Sequence, residues 1–226
     1  MVKYALCNSR IPKGPHKALI LNHERRVWMD DHYECIYTDK IAAEYPGSVV
    51  LERPYFQQHS QPVRTKNLVY TDRIELKAML HFYIRSFFFK KQISDLRKRL
   101  EERIREPLDK ICKAYQVSYD GRRIIDRMVC GYYIYQVKKK DLGRLIKKIN
   151  PKVILEVVGY NFDCMVVNEL GAELHIPTVE LQHGVTGGEH LPYNYAKGTK
   201  VKQFAQYFFA FSRFWIEADR YPLPAE

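Results

Sequence analysis

Cysteine is sparse and irregularly placed, with five residues at 7, 35, 112, 130 and 164 and no C-x-x-C pair. That excludes a zinc cage of the usual spacing and a disulfide framework, and it fits reduced thiols in a cytosolic setting. Glycine and proline number only 11 each and 46% of the chain is hydrophobic, which rules out collagen-like repeats and low-complexity disorder. No stretch free of Asp, Glu, Lys and Arg exceeds ten residues, as at Met128–Val137 and Gln203–Ser212, so nothing here reads as a membrane-spanning helix. Met1–Ile20 carries Lys3, Arg10, Lys13 and Lys17 without an apolar centre and lacks the pattern of a signal peptide. Also missing are G-x-G-x-x-G, the P-loop, H-E-x-x-H and G-x-S-x-G. No metal and no cofactor are therefore expected, and covalent hydrolase chemistry is disfavoured. What remains, at 226 residues, is a folded chain with one good core.

Its charge is concentrated. Residues 64–152 hold 24 Lys and Arg against 10 Asp and Glu, while residues 1–63 hold 8 against 7 and residues 153–226 hold 5 against 9. A basic central third suits phosphate-bearing matter such as lipid headgroups, nucleotide-linked substrates or nucleic acid, and equally suits a solvated helical face. Within it, Leu80-His81-Phe82-Tyr83-Ile84-Arg85-Ser86-Phe87-Phe88-Phe89-Lys90-Lys91 sets aromatic rings beside a cationic pair, as an interfacial membrane helix does, although core packing could consume those rings. Nucleic acid is the weaker partner, because no helix-turn-helix, zinc-finger or RNP-type motif accompanies the charge.

Ala18–Leu21 and Tyr33–Asp39, on either side of the polar Asn22-His23-Glu24-Arg25-Arg26 patch, read as strand or short-helix elements, and Val49–Leu51 and Leu68–Tyr70 are short β-rich runs expected to form strands. From Arg73 the pattern turns helical. Ile93, Leu96, Leu100, Ile104, Leu108, Ile111 and Tyr115 recur at steps of three and four and predict a long amphipathic helix that Pro107 should kink or divide. A second helix is expected from about Ile124 to Ile149, ending at Asn150-Pro151. The last third reads as strand 153–158, helix 162–175, strand 177–182, a third strand at Tyr207–Ser212 and a short helix from Arg213 to Ala218. The strand spacing suits a parallel βαβ crossover, so this part is half of a doubly wound α/β sheet.

In such sheets ligands gather beyond the carboxyl ends of the strands. Two loops lie there, Gly159-Tyr160-Asn161-Phe162-Asp163 and Gln182-His183-Gly184-Val185-Thr186-Gly187-Gly188-Glu189-His190. His183 is the principal candidate: a neutral imidazole at a strand end can take a proton from an attacking hydroxyl, and a protonated one can stabilise a leaving phosphate. A histidine merely bonded to nearby backbone is the plain alternative. Gly184, Gly187 and Gly188 would let backbone approach an anion, and Glu180 could orient a substrate hydroxyl or be a simple sheet-edge carboxylate. Asp163 and Glu189 are reserve bases, while Tyr160, Asn161 and Tyr193 are candidate acceptor contacts.

Pro177-Thr178-Val179-Glu180-Leu181-Gln182-His183-Gly184, followed by His190, Tyr193, Tyr195, Phe209-Ala210-Phe211-Ser212 and Trp215, resembles bacterial surface-polysaccharide glycosyltransferases of the GT-B type over about residues 150–224. The His-Gly element is also similar to that of polyglycerol-phosphate transferases. The resemblance implies an α/β fold made of a Rossmann-like parallel sheet with flanking helices and a long basic helical insertion at about 73–150. Residues 1–224 would form a single domain, the acceptor-side half of a GT-B enzyme, with the donor-binding half absent from the chain. His183, aided by Glu180, would then deprotonate an acceptor hydroxyl, with Gln182, Gly184, Asn161, Asp163, His190 and Tyr193 around the substrate. The implied partners are a nucleotide-sugar donor held by the missing domain and a glycan or lipid-linked acceptor, with peripheral contact at the inner face of a membrane. Alone, the chain is not expected to turn over a nucleotide sugar. A polyol-phosphate transferase on the same fold and a non-catalytic basic module binding nucleic acid or anionic membrane are the alternatives.

Overall fold

The computed structural model describes residues 2–6, which form the short helix α1 (Val2–Leu6), and residues 16–222; Cys7, Arg10 and Lys13 lie outside the described residues. The chain divides into two compact units, residues 1–74 with 139–226, and residues 75–138.

The first unit is α/β. Its strands β1 (His16–Leu21), β4 (Val49–Glu52), β5 (Leu68–Tyr70), β6 (Pro151–Val157), β7 (Thr178–Leu181) and β8 (Tyr207–Phe209) form one parallel sheet in the order β5-β4-β1-β6-β7-β8. Taken by appearance, that is third, second, first, fourth, fifth, sixth, the doubly wound order of a Rossmann-like half-domain. Leu19, Ile20, Val49, Val50, Ile154, Val157 and Val179 are buried because the inner strands are covered on both faces, which is why they read as unbroken apolar runs. The helix α6 (Phe162–Leu174) makes the crossover between β6 and β7, starting at Asn161, whose side chain accepts from the Asp163 N–H at 3.3 Å, and stopping at His175 with φ 55°. At Gly171 a Cβ would strike the Thr178 side chain and lie 3.0 Å from the Ile176 carbonyl, so helix and strand approach closely only with glycine there.

Between β1 and β4 the Tyr33–Asp39 segment holds both kinds of element: its start lies in β3 (His32–Glu34), paired antiparallel with Val27–Met29 (β2), and its end opens the helix α2 (Asp39–Glu44). The polar patch is partly core. Arg26 is buried, donating from Nε to Glu52 Oε2 at 2.7 Å and from one terminal nitrogen to Asp39 Oδ2 at 2.5 Å. The His59 ring, its side chain fully covered, places Nδ1 2.9 Å from Glu52 Oε1 and Nε2 2.7 Å from Asp72 Oδ2. Burying so many polar and charged groups is tolerable only because each is hydrogen-bonded within the cluster.

The second unit is helical, built from parts of α3 (Asp72–Phe88), α4 (Lys90–Tyr115) and α5 (Gly121–Ile149). Ile93, Ile125, Val129 and Tyr133 form its core, with Phe82, Leu96, Leu100 and Ile104 packed against them. The expected stripe on α4 is thus used along its first half, whereas Ile111 and Tyr115 are exposed. The expected division at Pro107 does not occur, and α4 runs through it. Pro107 and Arg103 lie on an exposed stretch, where water can take the Arg103 carbonyl that proline leaves without a donor. Among the described residues no helix is long and apolar enough to cross a membrane.

Candidate functional site

All six strands run the same way, so the segments leaving β1, β4, β6 and β7 emerge on one edge of the sheet. They bring His23 and Glu24, Arg53, Tyr160 and Asn161, and His183 to one place. Glu24 pairs with Arg53, whose other terminal nitrogen donates to Asn161 Oδ1 at 2.7 Å. Burial alone would raise the Glu24 carboxyl, yet the Arg53 guanidinium outweighs it and holds the group below the usual range. The Tyr37 hydroxyl donates to the His183 carbonyl at 2.7 Å, and the rings of Tyr37 and His23 stand 6.5 and 6.4 Å from the His183 ring.

Both nitrogens of His183 face hydroxyls. Nε2 is 3.4 Å from Tyr160 Oη and Nδ1 is 3.5 Å from Tyr193 Oη. Tyr193 donates its own proton to Glu180 Oε1, so its oxygen can only accept from His183, which puts the imidazole proton on Nδ1 and leaves the Nε2 lone pair turned toward Tyr160. Burial, reinforced by the neighbouring His23 and His190, lowers the His183 pKa to about 4, so the ring is neutral at physiological pH. A neutral imidazole with a fixed tautomer and a free nitrogen at a strand end is suited to accept a proton.

Glu180 has a different place from the one its sequence position suggested. β7 is an inner strand, and Glu180 is fully buried on it, accepting from Tyr193 and, at 2.7 Å, from the Gly159 N–H. It therefore touches no solvent-borne substrate and acts on His183 only through Tyr193. Its register partner on β6 is Glu156, also fully buried, whose Oε1 accepts from Asn168 at 2.8 Å. Each carboxyl keeps one buried oxygen, Oε2, without a hydrogen-bond partner. Burial, and for Glu156 also the charge of Glu180, drives both up, Glu156 to about 8 and Glu180 to about 7, so the pair retains a proton at neutral pH. The turn above them is shaped to fit. Val158 takes φ 64°, a conformation that β-branched residues seldom adopt and that costs on the order of 1–3 kcal/mol, and it delivers the Gly159 N–H onto Glu180. A Cβ on Gly159 would run into the Glu180 carboxyl and sit 2.9 Å from Glu156 Oε1.

The remaining expected contacts divide. Gln182 is buried, its amide spent on the Gly184 carbonyl at 2.8 Å and the Phe211 N–H at 2.7 Å, so it pins the loop and presents nothing to a ligand. Asp163 is buried in the first turn of α6, and Asn161 is occupied by its capping bond and by Arg53, so neither stands open to a substrate. Tyr193 is likewise buried and belongs beneath His183. His190 stacks on the Tyr193 ring at 4.9 Å and keeps its buried Nε2 without a partner. At Gly184, Gly187 and Gly188 a Cβ would meet nothing and φ is not positive, so the fold itself does not demand glycine there. Their backbone simply borders open space. Sequence reasoning missed Arg53, Tyr37 and Glu156; Arg53 directly follows β4 and Glu156 lies on β6, both strands that had been read correctly.

Among the described residues no three His, Cys, Asp or Glu side chains are grouped to hold a metal ion. Fold and site together define an α/β protein with a Rossmann-like sheet and a neutral, tautomer-fixed histidine at its strand-end edge. No family model, no curated protein and no solved structure matches the chain.

Proposed function

We propose that the chain is the acceptor-side domain of a transferase that moves a sugar from a nucleotide-sugar donor to a hydroxyl of a glycan or lipid-linked acceptor in surface-polysaccharide synthesis. The donor would be held by a second Rossmann-like domain, and a lipid-linked acceptor would bring the protein to the cytoplasmic face of a membrane. The observation that carries the reading is His183 Nε2, unprotonated and aimed at a hydroxyl already within 3.4 Å. An acceptor hydroxyl replacing that of Tyr160 would give its proton to Nε2 as its oxygen bonds to the anomeric carbon of the donor, while the bond from that carbon to the nucleoside diphosphate breaks and the diphosphate leaves with the electron pair. The imidazolium so formed is stabilised through Nδ1–H by Tyr193 and the Glu180 carboxylate behind it, the logic of a base oriented by a third group. General-base catalysis of this kind contributes about 10²–10⁴ in rate.

Ligand-observed NMR with short glycan acceptors and nucleotide sugars tests it, together with the ¹⁵N shifts of His183. Acceptors should bind and shift Nε2, with binding weakened in His183→Ala, and Tyr193→Phe should loosen the tautomer without abolishing binding. Nucleotide-sugar binding in place of acceptor binding, or acceptor binding that leaves His183 undisturbed, would sink the proposal. If glycans fail and polyol-phosphate chains bind at His183, the acceptor belongs to a polyol-phosphate transferase.

A further inference from the structure

We infer that the solvent-facing side of α3 and its junction with α4 form a docking surface for an anionic membrane. The inference rests on the peripheral placement proposed above and not on the chemistry of His183, so the two stand or fall by different measurements.

The helix α3 is apolar on more than one side, and only one side is covered. Phe82 packs against the small core of Ile93, Ile125, Val129 and Tyr133. Leu80, Tyr83, Ile84 and Phe87 fall at steps of three, one and three, which aligns them along another face, and with Phe88 they continue to the helix end. That face is open: Leu80 is 60% exposed, Tyr83 62%, Phe87 70% and Phe88 71%. With aromatic side chains of about 150–250 Å² each, the patch amounts to roughly 600 Å², at the top of the range found on soluble monomers.

Its chemistry selects the occupant. One end of the patch is cationic: Lys90 Nζ lies 6.0 Å from the Phe87 ring centroid. Lys91 follows in the first turn of α4, and residues 75–138 as a whole hold 15 Lys and Arg against 8 Asp and Glu. Aromatic rings beside cations at a helix end match the headgroup boundary of a bilayer, where the rings enter the acyl margin and the cations meet lipid phosphate. A protein partner or a second copy of this chain would cover the rings but would not need the cations to be grouped beside them.

Co-sedimentation of the chain with vesicles tests the surface, using phosphatidylcholine alone and phosphatidylcholine with about a third phosphatidylserine, at low and at about 0.15 M salt. The wild type should partition onto the anionic vesicles and only weakly onto the neutral ones. The double variant Phe87→Ser/Phe88→Ser and the double variant Lys90→Glu/Lys91→Glu should each lose partitioning at least tenfold with unchanged far-UV circular dichroism, whereas Lys113→Glu, at the far end of α4, should change it less than twofold. Three results would overturn the inference: no binding to anionic vesicles at low salt, equal losses from Lys113→Glu, or a vesicle-free dimer by sedimentation that Phe87→Ser/Phe88→Ser dissolves. Vesicle binding alongside a failed acceptor screen would leave this surface standing and remove the transferase reading alone.

Discussion

Replacing Glu156 by glutamine should stabilise the protein increasingly as pH rises from 4.5 toward about 8. The carboxyl is fully buried beside Glu180, and its pKa rises from 4.5 to about 8, through burial first and the Glu180 charge second. The folded chain therefore keeps a proton that the unfolded chain releases above pH 4.5 or so. Stability tied to this group is complete below that point and drains as pH climbs toward 8, by up to about 1.4 kcal/mol per pH unit. The whole window corresponds to roughly 5 kcal/mol at most, and relaxation around a buried charge brings the expected figure to about 2–4 kcal/mol. Glutamine suits the site: its carbonyl can keep accepting from Asn168, and its amide can donate toward the carboxyl oxygen of Glu180 that has no partner. Urea unfolding of wild type and Glu156→Gln across pH 5 to 9 measures the difference directly, and subtraction removes every other titrating group. The curves should nearly coincide at pH 5 and separate by about 2–4 kcal/mol at pH 9, with the variant the more stable. Parallel curves, or a variant less stable at pH 9, would refute the shared-proton account of the pair.

Gly159→Ala should lower stability by about 1–3 kcal/mol, because its Cβ collides with the Glu180 carboxyl; thermal melts check it, and the loss should shrink in a Glu180→Ala background. Arg26→Met should cost about 3–5 kcal/mol in urea unfolding, since Glu52 and Asp39 would lose their shared buried cation, and a loss under about 1 kcal/mol would mean that water reaches them.

The sheet was legible in the sequence because its inner strands are covered twice, and no polar residue interrupts Leu19–Leu21 or Val49–Leu51. The edge strand β8 was legible for a different reason, its dense aromatic run. What escaped was the charged interior. Arg26, Glu52, His59 and Asp72 lie far apart in the chain, and each read singly is an ordinary surface residue; only the fold brings them within hydrogen-bond reach. Glu156 and Glu180 fall at the same step of two neighbouring strands that had been placed correctly, so register alone could have paired them. The loop glycines beside His183 have open space around them, so the packing of the fold gives no reason for them. His183 itself was found from its strand-end position, but the neutrality of its ring depends on burial and on His23 and His190, which no local pattern records.

The strand order also bears on how the chain is made. On a ribosome, β1, β4 and β5 emerge together and can pair at once, yet the other edge of β1 waits for β6, and about eighty residues separate Tyr70 from Pro151. At about 5–20 residues per second that interval lasts roughly 4–16 s. Throughout it the nascent chain displays Leu19, Ile20 and Leu21 on an open strand, the kind of edge to which other chains add. The residues emerging meanwhile are those of the helical unit, whose like charges repel a second nascent copy. The positive charge of that stretch therefore works against the pairing of two half-built sheets during those seconds.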